Sequence, residues 1–183
     1  MKLLELDRAT NEVVPSPFLL QISEFGEIWN RDKSKSKTTA KKEIAYIFFM
    51  GSLESDNPYA GLPEEDRIDK ISHDVFGGPY SPDPSVEAAM YKLDQLYKST
   101  FSFKYYKTSL EAAEQLRTFL ETIDYSERTN SGSMVQDPKK VQSILMDTRK
   151  TLTTLKELRD AVINESYDQD KMVSDRKRNY FED

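Results

Sequence analysis

The stretch Lys41-Lys42-Glu43-Ile44-Ala45-Tyr46-Ile47-Phe48-Phe49-Met50 decides the fold, because as a helix it is apolar almost all the way round. Ile44, Ile47 and Phe48 follow the i, i+3, i+4 spacing of a helix, and the other apolar residues fill the neighbouring stripes. Such a helix must be covered from more than one side. The sequence therefore predicts a central, buried helix over about 38–53.

Helix-capping signals place further helices on both sides of the central one. Pro63 with three acids behind it favours a helix start, and Gly77-Gly78-Pro79 favours its end. Asp83-Pro84 and Asp137-Pro138 each combine a cap with a first-turn proline. The helices predicted besides the central one cover about 17–31, 63–76, 84–97, 109–124 and 138–166.

The predicted fold class is all-α, a bundle of about five to six helices with extended arms. The domains expected are an N-terminal arm over 1–16, a helical bundle over 17–166 and a C-terminal tail over 167–183. Residues 99–108 stay open between a strand, a bend and a helix, because their aromatic residues alternate as in a strand while helices flank them.

The last helix carries apolar residues at alternating spacings of four and three, which is typical of a coiled-coil seam or of a bundle helix. This predicted seam consists of Val141, Leu145, Thr148, Leu152, Leu155, Arg159 and Val162. It covers barely three heptads, so the sequence leaves both interpretations open.

Composition excludes several classes of protein. The chain has 183 residues, no cysteine and a net charge of −6, so disulfides and thiolate metal sites are excluded and a dedicated nucleic-acid binder is disfavoured. Met1 to Asp7 has only three leucines, interrupted by acids, and predicts no signal peptide. No apolar run of about 18 residues predicts a membrane span.

The sequence predicts no catalytic residue, no cofactor and no metal site. His73 stands beside Asp74, but adjacent residues on a helix point in different directions, which favours a solvated or structural histidine. The acids near Glu64 lack the spacing of a calcium loop. The serine- and lysine-rich segment after Asp32 lacks the glycines of a phosphate-binding loop.

A basic run between the first two helices is the main candidate contact site. Six cations stand within twelve residues, namely Arg31, Lys33, Lys35, Lys37, Lys41 and Lys42. The run is interpreted as a solvated linker, or as a contact with DNA phosphates or with an acidic protein neighbour. In the tail, Tyr167, Tyr180 and Phe181 are candidate anchors for a partner, because 167–183 shows no core pattern.

Three segments carry a resemblance to a known class of proteins. Trp29 to Lys35, Lys42 to Met50 and Ser55 to Arg67 resemble head-to-tail connector (neck ring) proteins of crAss-like tailed bacteriophages, over about residues 20–78. The resemblance implies an all-helical virion protein that forms a ring, commonly twelvefold, around the DNA path. Its partners would be copies of itself, the portal and other neck or tail proteins. It implies no active site.

Overall fold

A computed structural model describes residues 4–7, 12–55, 57–124, 126–128, 131–132 and 137–179 of the chain. It confirms the predicted all-α class, with one short hairpin of strands in the N-terminal arm. The elements are β1 (Leu4–Asp7), β2 (Glu12–Pro15), a 3-10 turn (Leu19–Gln21), α1 (Ser23–Arg31), α2 (Thr38–Gly51), α3 (Glu64–Phe76), α4 (Pro84–Lys98), α5 (Phe101–Thr122) and α6 (Pro138–Asn179). The strands pair antiparallel, with Leu4 opposite Pro15.

The central helix is buried as the sequence predicts. α2 contacts α1, α3, α4 and β2, so it is covered on several sides. Every residue from Glu43 to Phe49 is buried, and Phe48 keeps only 1% of its surface exposed. The continuous apolar run is thereby explained, because no face of α2 meets water along this stretch.

The first helix begins later than predicted. Instead of one helix over 17–31, the chain forms the 3-10 turn and then α1, and Ile22 between them is extended. The Cα of Gly26 lies against this turn, where an added Cβ would stand 2.9 Å from the carbonyl oxygen of Leu20. Gly26 therefore permits a close approach that any other residue would obstruct.

The chain folds as two compact units, which differs from the single bundle domain predicted over 17–166. Unit 1 consists of residues 1–99 and 166–183, and unit 2 of residues 100–165. α4 ends at Lys98, the backbone bends at 99–100, and α5 starts at Phe101. The open prediction for 99–108 thus resolves to a bend followed by helix, and α5 starts eight residues before the predicted start at Ser109.

The predicted seam of α6 is covered in part. Val141 and Val162 of the seam are buried and Thr148, Leu155 and Arg159 are half-buried, whereas Leu145 and Leu152 are 54% and 58% exposed. Ile144 and Leu158, which lie outside the seam, are also half-buried, so the covered stripe is centred to one side of Leu145 and Leu152. The spacing of four and three therefore found most of the covered face of α6 and missed its centre.

Helix α6 also extends beyond its predicted end at Ser166. It continues to Asn179, and Tyr167 is buried within unit 1. The prediction of an unanchored tail from Tyr167 is therefore wrong at its start. Tyr180 and Phe181 lie outside the described residues.

Candidate functional site

The basic run begins in a structured corner between α1 and α2. Asp32 accepts hydrogen bonds from the backbone N–H groups of Ser34 (2.8 Å) and Ala40 (3.1 Å), which fixes the first turn of α2. A hydrogen bond from the Ser34 hydroxyl is the main cause that lowers the pKa of Asp32 to about 2, and the two backbone bonds lower it further. Lys37 adopts a left-handed φ of +54°, which is uncommon for a residue with a side chain.

Hydrogen bonds of the Lys37 side chain offset the free-energy cost of this left-handed backbone conformation. Its Nζ donates to the carbonyl oxygens of Trp29 (2.9 Å) and Asp32 (2.5 Å), at the C-terminal end of α1. The same ammonium lies 5.8 Å from the centre of the Trp29 ring. A cation in this place complements the negative end of the helix dipole. Lys37 is therefore a capping residue of the chain's own fold.

Arg31 is held between two acids of unit 1. Its guanidinium contacts Glu43 Oε1 at 2.7 Å and Asp83 Oδ2 at 2.6 Å, and thereby joins α1 to α2 and to the start of α4. The Arg31 hydrogen bond is the main cause that lowers the pKa of Asp83, and the two acids raise the pKa of Arg31. The Glu43 side chain is only 7% exposed. Arg31 therefore neutralises a buried carboxylate.

The remaining four cations differ in their surroundings. Lys33 is exposed and donates to the carbonyl oxygen of Asn30 at 2.8 Å. Lys35 is exposed and makes no hydrogen bond or ion pair with the part of the chain that the structure describes. Lys41 and Lys42 lie on α2 and line a cleft in unit 1. The predicted run is thus divided into structural cations, exposed cations and cleft cations.

This cleft has a volume of about 670 Å³. Its floor is apolar and includes Ala45 and Phe49 of α2 with Val13 of β2, all of which are buried. The two lysines stand at its side with the hydroxyls of Ser36 and Thr38; the remaining lining residues are Pro58, Tyr59, Asp74 and Val75. An apolar floor with a few polar groups at the rim is typical of a ligand or peptide pocket.

The loop after α2 builds the far wall of the cleft. Asn57 donates through Nδ2 to the carbonyl oxygens of Phe49 (3.0 Å) and Ser52 (3.1 Å), which closes the end of α2. Tyr59 stands with its ring centre 4.9 Å from that of Phe49, and its hydroxyl donates to Asp74 Oδ2 at 3.0 Å. The wall is therefore held by side-chain bonds that the sequence alone did not reveal.

Unit 2 offers a different kind of surface. α5 and α6 form a hairpin in which Glu165 accepts hydrogen bonds from the backbone and hydroxyl of Ser102, and so caps the first turn of α5. These bonds lower the pKa of Glu165. Large apolar side chains are exposed along both helices, namely Phe101, Tyr105, Leu110, Phe119, Leu145, Met146 and Leu152.

The three candidate tail anchors have different outcomes. The Tyr167 hydroxyl donates to the buried carboxylate of Glu54, so this residue anchors α6 within its own unit. The prediction that Tyr167 anchors a partner is therefore corrected, because its ring and hydroxyl are already occupied. The structure does not describe Tyr180 and Phe181, so those two predictions stand as made.

His73 and Asp74 are the histidine and the acid that stand side by side on α3. His73 is 79% exposed in its side chain, and its Nδ1 lies 3.7 Å from Asp74. Hydrogen bonding from Tyr59 is the main cause that lowers the pKa of Asp74. Within the described ranges, no group of three or more His, Asp or Glu side chains is placed to hold a metal ion. Nor does any described helix have the length and apolarity that a membrane span requires.

Comparison of the chain with models of protein families, with curated proteins and with solved structures finds no match. The site is therefore interpreted from its own geometry. Sequence reasoning found the cations and the central helix, but it missed Asp32, Asn57 and Glu165. All three are polar residues close in space to a helix end, and all three act across eight residues or more.

Proposed function

We propose that this protein is a structural virion component, a ring subunit of a bacteriophage head-to-tail connector that links portal to tail around the DNA path. The observation that carries the proposal is the exposed apolar surface of unit 2. Leu145, Leu152 and Met146 on α6 are 54%, 58% and 71% exposed, and Phe101 on α5 is 73% exposed. Leu145 and Leu152 lie two turns apart on one face of α6, and exposed apolar patches mark surfaces that another protein covers.

A ring of identical subunits would bury such a surface. In a heterologous interface each subunit uses two different faces, and a ring results when the rotation between subunits closes. The resemblance of residues 20–78 to connector proteins supplies the location, the neck of the virion after assembly in the host cytoplasm. Other virion roles, as a tail or internal capsid component, use the same surface chemistry and are alternatives within this class.

A small nucleic-acid-associated regulator is the alternative from another class. It would depend on the basic run, but Arg31 and Lys37 are engaged by the chain's own acids and carbonyl oxygens. The net charge of −6 also opposes general attraction to DNA. Strong, salt-dependent DNA binding by the purified protein, without any oligomer, would favour the regulator over the connector.

The direct test replaces Leu145 and Leu152 together by glutamine. Both side chains are exposed, so the fold should be retained while assembly is lost, measured by light scattering and by electron microscopy of the purified protein and of phage particles. Thr154→Gln is the matched control, because Thr154 is exposed on the opposite side of α6, about 180° from Leu145. Normal rings from the double variant would contradict the role assigned to this surface.

A further inference from the structure

The cleft on α2 and the last four residues of the chain have complementary chemistry. Residues 180–183 read Tyr-Phe-Glu-Asp, two aromatic side chains followed by two acids. The cleft presents an apolar floor of Val13, Ala45 and Phe49, with Lys41 and Lys42 beside it. An aromatic and acidic peptide therefore finds both an apolar surface and two cations there.

The size of the cleft suits this segment. A volume of about 670 Å³ lies within the range of roughly 300–1,000 Å³ that is typical of small-molecule pockets. Aromatic side chains combine a large apolar area with few rotatable bonds, and they dominate the energetics of many interfaces. The ring of Tyr59, beside Phe49, supplies an aromatic wall against which a second ring can pack edge to face.

The position of Lys42 is compatible with binding an acid. Its side chain is exposed, and its Nζ lies 6.0 Å from the centre of the Phe76 ring, which leaves its donors available at the rim. Hydrogen bonds from an ammonium to a carboxylate are about twice as strong as those between neutral groups. The charges of Glu182 and Asp183 therefore favour this side of the cleft over the Asp74 side.

A ring supplies the segment from a neighbouring copy, because a heterologous contact joins two different surfaces of successive subunits. Tyr167 is bonded to Glu54, at the start of the loop that carries Pro58 and Tyr59 of the cleft wall. From Tyr167 to Asn179 α6 rises about 18 Å, at 1.5 Å per residue. Residues 180–183 therefore begin about 18 Å from the Tyr167 anchor and extend at most roughly 14 Å further, which allows them to meet a neighbouring subunit.

We propose that the cleft on α2 binds residues 180–183 of a second copy of this chain, with Tyr180 and Phe181 on the apolar floor and the two acids at Lys41 and Lys42. This inference rests on the proposed function in one respect, that copies of the chain assemble with each other. The contact is heterologous, because the cleft of one copy receives the tail of the next, and it is repeatable around a ring.

Binding is tested with a chain that ends at Asn179 and a fluorescent peptide of residues 178–183. The peptide should bind the shortened chain. Lys42→Glu should weaken binding about tenfold, which corresponds to the loss of one charge-assisted hydrogen bond. Lys104→Glu on α5 is the matched control, an exposed lysine outside the cleft, and should leave binding unchanged.

A second arm keeps the protein unchanged and alters the peptide. Replacing Tyr180 and Phe181 in the peptide by alanine should abolish binding to the shortened chain, whereas Asn179→Ala in the peptide should not. Equal binding of all peptides, or equal binding by the Lys42→Glu and Lys104→Glu proteins, overturns the assignment of the cleft.

Mixing two defective chains then distinguishes a neighbour's tail from the chain's own. The shortened chain keeps its cleft and lacks the tail, while the full chain with Lys42→Glu keeps its tail and has a damaged cleft. Each alone should lack the cleft–tail contact, and in the mixture the tail of the Lys42→Glu chain should bind the shortened chain one to one, beside any contact through the unchanged surface of unit 2. An unaltered full chain whose cleft excludes the peptide equally at high and at low protein concentration would place the tail in its own cleft and overturn the intersubunit contact.

Different results would contradict the cleft contact and the connector function. Rings that form as well from the shortened chain as from the full chain would remove the cleft contact and leave the connector function standing. Specific peptide binding by a protein that forms rings neither alone nor in phage particles would retain the cleft and remove the connector.

Discussion

α2 in unit 1 and α5 in unit 2 belong to one chain, yet they are buried to opposite extents. α2 buries every residue from Glu43 to Phe49, whereas Ser102 is the one buried residue of α5, a helix that the structure describes in full. Unit 1 surrounds its apolar helix with its own elements, while unit 2 has a thin hairpin with large side chains in solvent. The difference indicates that the buried core of the described chain lies mainly in unit 1, and it supports the proposal that unit 2 presents a surface to partners.

Polar side chains show the same contrast. In unit 1, Arg31 connects three helices through Glu43 and Asp83. In unit 2, Arg117 pairs with Glu114 and Glu121 on its own helix, in full solvent. Ion pairs between elements fix tertiary structure, whereas exposed pairs within one helix add little stability.

The largest expected effect is in the core of unit 1. Phe48→Ala should lower the free energy of unfolding by about 3–5 kcal/mol, because it removes a fully buried ring and leaves a cavity. Leu152→Ala on the exposed face of α6 should change it by less than about 0.5 kcal/mol. Urea denaturation of both variants tests the comparison, and similar losses would show that the two units are equally packed.

The next effect concerns the ion pairs. Arg31→Ala should lower stability by about 2 kcal/mol, because the mostly buried Glu43 carboxylate loses its charged hydrogen-bond donor. Arg117→Ala removes a guanidinium that is fully in solvent, and the change should be small. A thermal-melting comparison that ranks Arg117 above Arg31 would contradict the contrast between the units.

Shortening α6 should distinguish its anchored part from its free end. A chain that ends at Ser166 loses the bond from Tyr167 to Glu54 and leaves a buried acid without that donor, at a cost of about 1–3 kcal/mol. A chain that ends at Asn179 should keep the stability of the full chain. Tyr167→Phe provides the control that removes the hydroxyl alone; if it melts like the wild type, the ring and not the hydrogen bond anchors α6.

Lowering the pH should remove the contribution of Asp32 to the stability of the fold. Its pKa falls from the ordinary 3.8 to about 2 in the folded protein, so it stabilises the fold above pH 4 and loses this effect as the pH falls toward 2. Wild type should be more stable than Asp32→Asn at pH 7, and the difference should shrink between about pH 4 and pH 2. A difference that stays constant over this range would exclude the carboxylate as the cap of α2.

The smallest effect on stability is expected at the exposed cations. Lys33→Glu with Lys35→Glu should leave the melting temperature nearly unchanged, because both side chains are in solvent. Lost assembly of rings would support an acidic protein neighbour, and normal assembly with altered retention or ejection of DNA would support a channel-facing position. If neither property changes, these lysines are only solvated loop residues. Lys37→Glu is a useful contrast, since it should destabilise the α1–α2 corner.

The sequence by itself determined the all-α class, the central place of α2 and several helix ends. These follow from local rules: an apolar run with helical spacing has to be buried, Asp83-Pro84 starts a helix, and Gly77 ends one with a left-handed φ of +82°. The candidate cations of the basic run were also visible from charge alone.

Only the tertiary structure decided which seam residues of α6 are covered, the division into two units and the roles of individual cations. Leu145 and Val141 both belong to the predicted seam, yet Leu145 is 54% exposed and Val141 is buried. Lys37, Arg31 and Lys42 carry the same charge, but one caps a helix, one neutralises Glu43 and one borders a cleft. These roles depend on groups that are distant in sequence, and spacing within one segment carries no information about them.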